Sequence, residues 1–102
     1  MSEHMQVAQT IKEQLYVGGL MKVGSWGTHQ FIALTPTKHY NGGLRFKVSG
    51  RLFRGLVQVL LMPNDTYTVE LIQRRTYEVK ERREDIYCDM LTEVIDRLVE
   101  TK

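Results

Sequence analysis

Apolar side chains recur at every second position through the middle of this chain, and at every third or fourth position on either side of it. Leu44, Phe46 and Val48 alternate with Arg45, Lys47 and Ser49; Tyr67, Val69 and Leu71 alternate with Thr68, Glu70 and Ile72; Tyr77 and Val79 alternate with Glu78 and Lys80. A strand sends successive side chains to opposite faces, so runs of this kind become strands with one face turned to a core. Residues 57–62 are apolar at nearly every position, the pattern of a strand buried on both faces. Asn41-Gly42-Gly43, Ser49-Gly50 and Pro63-Asn64-Asp65 separate the runs with residues that suit tight turns. Residues 20–23 and 31–34 read as a further hairpin around Gly24-Ser25-Trp26-Gly27.

Helical periodicity brackets the strands. Over residues 2–16, Val7, Ala8, Ile11 and Leu15 fall on one stripe, with Gln6, Thr10, Glu13 and Gln14 opposite. Ser2 is placed as an N-cap and Gly18-Gly19 as the stop. From residue 86 on, Ile86, Tyr87, Met90, Leu91, Val94, Ile95 and Leu98 form a broad apolar face with Val99 at its edge. Glu84 and Asp85 stand where carboxylates meet the positive end of a helix dipole. The whole predicts an α+β fold: an N-terminal helix, an antiparallel sheet of four to six strands and a C-terminal helix, both helices on one face. Leu44, Phe46, Val48, Val69, Leu71 and Leu91 should be buried, and residues 1–102 should form one domain.

Several motif stretches, Thr10-Ile11-Lys12-Glu13-Gln14-Leu15 leading to Gly18-Gly19, Gly43-Leu44-Arg45-Phe46-Lys47-Val48, Asn64-Asp65-Thr66-Tyr67-Thr68-Val69-Glu70-Leu71 and Ile86-Tyr87-Cys88-Asp89-Met90-Leu91, together span most of the chain. Their order resembles a group of small proteins encoded by bacteriophages, prophages and other mobile elements. The group has no established activity, so the resemblance implies an origin of that kind and assigns no site residues.

Catalytic chemistry finds little to build on. His4, His29, His39 and Cys88 lack zinc spacing, and a single cysteine excludes an internal disulfide. Cys88 is expected to pack at the border of the second helix's apolar face, and His29 and His39 to be exposed. Neither glycine pair precedes a helix with the lysine and hydroxyl residue of a phosphate-binding loop. The expectation is a non-enzymatic protein with no cofactor and no metal. The N-terminus lacks a signal-peptide pattern and no apolar run approaches membrane-spanning length, which predicts a cytoplasmic protein that does not enter membranes.

Binding is the remaining class, and charge divides it in two. The net charge of +2 is unevenly spread: residues 38–83 carry ten basic and four acidic groups, and residues 84–102 carry two basic and six acidic ones. Arg45, Lys47, Arg74, Lys80 and Arg82 are predicted on the sheet face away from the helices, where they would track a nucleic-acid backbone. Glu70 and Glu78 share that parity, so an ordinary solvated face with cross-strand ion pairs explains the same pattern. Leu56, Leu60, Met62 and Ile72 put an apolar stripe on the same outer face, which needs cover from the segment 26–40 or from a second subunit. This places protein binding or self-association first, with Trp26, Phe53 and Leu60 as anchors, and nucleic-acid binding through residues 38–83 as the alternative.

Overall fold

The computed structural model describes residues 3–100 of the chain, with side chains from Met5 to Glu100. Ser2 and His4 therefore fall outside what is described of caps and side chains. Helix α1 (Glu3–Ser25) leads into five strands, β1 (His29–Leu34), β2 (Gly43–Ser49), β3 (Arg54–Leu61), β4 (Tyr67–Ile72) and β5 (Val79–Ile86). A short 3-10 turn (Cys88–Met90) and helix α2 (Leu91–Val99) complete the order. Each strand pairs antiparallel with the next, so the sheet runs β1-β2-β3-β4-β5.

Register explains why alternation translates into a core. Phe46 pairs with Val57 and Leu44 with Val59, while Val57 and Val59 pair in turn with Leu71 and Val69. Residues directly opposite one another share a face, so these side chains form one inner surface. Both helices cover it: Ala8, Ile11, Leu15 and Val23 from α1 and Leu91, Ile95 and Val99 from α2 join Leu44, Phe46, Val48, Val57, Val59, Val69 and Leu71 in one buried cluster. The α+β order and the shared helical face are those the periodicity predicts.

Three boundaries differ from expectation. Gly19 has extended rather than helical backbone, yet the helix resumes after it and runs to Ser25. Residues 20–23 are thus helical and not a strand; Val23 and Trp26, one turn apart, carry the apolar stripe onward and are both fully buried. The first of the two glycines is needed for packing. A Cβ on Gly18 would lie 2.9 Å from Cβ of Thr92 and closer still to its hydroxyl, and that hydroxyl donates to the carbonyl of Leu15 at 2.9 Å.

The second helix starts at Leu91, not near residue 86. Ile86 pairs with Tyr67, so Glu84 and Asp85 belong to β5 rather than to a helix N-terminus. Tyr87 and Met90 are exposed while Leu91, Ile95 and Val99 are fully buried, so the apolar face is narrower and Val99 is central to it. Cys88 lies in the 3-10 turn and is exposed, which corrects its placement as a packing residue. Tyr77 and Val79, expected to face the core, do not: Tyr77 sits in the turn before β5 with positive φ, and Val79 pairs with Ile72 on the outer face, and both are exposed.

Candidate binding surfaces

On the outer face of the sheet a chain of side-chain hydrogen bonds crosses four strands. Arg45 donates to Oε1 of Gln58 through Nε and Nη2, at 3.1 and 2.7 Å. Gln58 donates in turn to Oε1 of Glu70 at 2.8 Å, and Arg82 Nη1 donates to Oε2 of the same carboxylate at 2.9 Å. Strand register brings them together, since Arg45 pairs with Gln58, Gln58 with Glu70 and Glu70 with Arg82. Gln58 and Glu70 are buried, and their mutual satisfaction avoids the cost of an unpaired buried polar group. Two of the five cations predicted to track a phosphate backbone are therefore engaged within the protein. Lys47 is half-buried, and Arg74 and Lys80 are exposed.

The apolar stripe beside this ladder behaves differently from expectation. Leu56, Leu60 and Ile72 are only 7, 5 and 5% exposed in the single chain. A second subunit is not needed to cover them, and residues 29–34 form β1 alongside β2 rather than a lid. The anchors chosen for protein binding are likewise withdrawn from solvent. Leu60 is buried and Phe53 packs partly buried against the core. Trp26, expected in an exposed turn, is fully buried; its indole N–H donates to Asp96 Oδ1 at 2.9 Å and its carbonyl accepts from Ser49 N at 2.7 Å. It fastens the end of α1 to both α2 and β2, because a large ring between three elements excludes more water than it would in a loop.

Ile32 of β1 and Val79 of β5 are exposed at the edges of this face, but the two most exposed large apolar side chains among the described residues, Val17 and Met21, lie on the helical layer. Val17, Leu20 and Met21 of α1 are 88, 64 and 86% exposed, and Tyr87 and Met90 of the neighbouring segment are exposed too. A groove of about 530 Å³ runs between the two, lined by Thr10, Glu13, Gln14, Val17, Gly18, Cys88 and Asp89. Gln14 in its wall is held from the sheet side, the Tyr67 hydroxyl donating to Gln14 Oε1 at 2.7 Å. Burial, and secondarily the nearby Cys88, raise the Tyr67 phenol above its usual value near 10. Sequence reasoning passed over Val17, Leu20 and Met21 because a helix ending at Gly18-Gly19 leaves residues 20–23 to be read as strand. Their signal was the apolar residues off the α1 stripe.

Two ends of the sheet differ in charge. The β2–β3 and β4–β5 turns share one end, where Arg54, Gln73, Arg74 and Arg75 line an open hollow of about 470 Å³. At the other end a smaller hollow of about 220 Å³ includes Glu84 and Asp85 among its walls. Among the described residues no group of three or more His, Cys, Asp or Glu side chains is placed to hold a metal ion, and no helix is long and apolar enough to cross a membrane. No family model, curated protein or solved structure matches this chain.

Proposed function

We propose that this chain is a non-enzymatic accessory protein of the phage or mobile-element kind, acting in the cytoplasm by binding another protein or a second copy of itself. The observation that carries the reading is the exposure of Val17, Leu20 and Met21 on one helix, beside a groove walled by the segment around Cys88. Exposed apolar groups gathered at a groove favour a partner surface, since burying each such side chain fully contributes about 1.5–3 kcal/mol. The surface lies on the helical layer, away from Trp26, Phe53 and Leu60.

Leu20→Asp combined with Met21→Asp tests it. Both side chains are exposed, so the thermal midpoint should hold while association weakens by more than about tenfold, a loss near 1.4 kcal/mol. Sedimentation velocity reads self-association, and titration against any protein that co-purifies with the wild type reads a partner. A wild-type chain that stays monomeric and brings down no protein, or a double variant that associates as well as wild type, would overturn the reading.

A further inference from the structure

The hollow at the basic end of the sheet carries an inference of its own. Arg54 is the first residue of β3, and Arg74 and Arg75 occupy the β4–β5 turn. β3 and β4 pair as far as Leu56 with Ile72, which sets the start of β3 beside the turn that leaves β4. Gly55 permits this close approach, since a Cβ there would stand 2.7 Å from the carbonyl oxygen of Ile72. Both turns are held from behind. Gly50 N donates to the Phe53 carbonyl, and Leu52 N donates to the carbonyl of Val99 at the end of α2. Tyr77 N donates to the Gln73 carbonyl at 2.7 Å and Gln73 N to the Glu78 carbonyl at 2.9 Å.

Three guanidinium groups are thus gathered on a fixed frame. Four ion pairs occur among the described residues, on Arg82, Arg83 and Arg97, and none involves Arg54, Arg74 or Arg75. No carboxylate lines the hollow; its fourth lining residue is Gln73. Like charges gathered in one hollow repel one another, and an anion seated among them relieves that repulsion. Arginine's planar fork matches the oxygens of a phosphate group, and a phosphate monoester near neutral pH carries close to two negative charges. The volume, about 470 Å³, lies within the range of small-molecule sites.

We propose that the hollow formed by Arg54, Gln73, Arg74 and Arg75 binds a phosphate group of its ligand. Such a group comes either on a free phosphorylated small molecule or in the backbone of a nucleic-acid strand. The arginine forks would meet the phosphate, with Gln73 beside them in the wall.

Calorimetric titration of the full chain with inorganic pyrophosphate, and separately with a short single-stranded oligonucleotide, tests the proposal at one low and one moderate salt concentration. Arg74→Gln with Arg75→Gln is the test variant, and Lys22→Gln with Lys38→Gln is a control of equal charge change at exposed positions outside the hollow. Binding of at least one ligand should weaken by about ten- to a hundredfold in the arginine variant and by much less in the control. Bound pyrophosphate should also raise the thermal midpoint of wild type and not of the arginine variant. The arginine variant itself should melt no lower than wild type, since it relieves repulsion. A site that holds pyrophosphate as tightly as the oligonucleotide serves small ligands; one that holds the oligonucleotide more tightly, and loses it steeply with salt, serves a backbone. Failure of wild type to bind either ligand, or equal weakening in the arginine variant and the control, would overturn the proposal.

Discussion

Tyr67 shows how one side chain links the sheet to the helical layer. It lies on the inner face of β4, paired with Leu61 of β3 and Ile86 of β5, and its hydroxyl reaches Gln14 of α1. Burial disfavours the phenolate, so its proton is held above the usual value near 10. Between that value and the higher folded one, the native chain keeps a proton that the unfolded chain has lost. Its contribution is thus complete below about pH 10 and lost as pH rises through the folded value. Tyr67→Phe should cost on the order of 1 kcal/mol at neutral pH, for the hydrogen bond lost, and should flatten the decline in stability at alkaline pH. Urea midpoints of the two proteins across that range measure the difference. Equal alkaline declines would show that the phenol titrates freely. Periodicity foretells that Tyr67 is buried, but not this bond, because Gln14 is more than fifty residues away in the chain and on the polar side of its own stripe.

Elements were legible where pattern and packing agree. Leu44, Phe46 and Val48 face inward as their alternation predicts, and Leu15 and Leu91 are buried as their helical spacing predicts. Boundaries failed where a long-range contact overrides a local signal. Gly18-Gly19 has the chemistry of a helix stop, but Val23 and Trp26 recover enough burial to continue α1 beyond it. Glu84 and Asp85 have the chemistry of a helix start, but pairing with β4 keeps them in a strand. The outer face was half legible: its arginines and Glu70 were foreseen on one parity, while the role of Gln58 as a bridge depends on register across three strand pairs. Gly18 gives the sharpest test at this scale. Gly18→Ala gains up to about 1 kcal/mol of helix propensity but drives a methyl into Thr92, so a net loss of about 1–2 kcal/mol is expected. Gly24→Ala, with nothing within 4 Å of the added carbon, should be neutral or stabilising. Denaturant unfolding of both variants separates packing from propensity, and a stabilised Gly18→Ala would contradict the close approach of α1 and α2.

At the scale of the whole molecule, the centre of the sheet's outer face is closed on itself, while its edges, the helical layer and the arginine end remain open. Leu56, Leu60 and Ile72 are shielded, and Arg45 and Arg82 are spent on Gln58 and Glu70. Apolar groups on α1 and the segment before α2 face solvent, as do Ile32 and Val79 on the two edge strands, and Arg54, Arg74 and Arg75 line the hollow beside the β2–β3 and β4–β5 turns. On the proposed reading, protein binding at the helical layer would be carried by apolar contact and little affected by salt, and phosphate binding at the arginine end by charge and strongly affected. The most direct test of the central claim is photo-crosslinking inside the cell that makes the protein, with a benzophenone side chain introduced at Met21 in one variant and at Lys80 of β5 in another, both exposed positions. A protein adduct from position 21 and none from position 80 is the predicted result. An adduct from position 80 alone, or none from either, would contradict a partner surface on the helical layer.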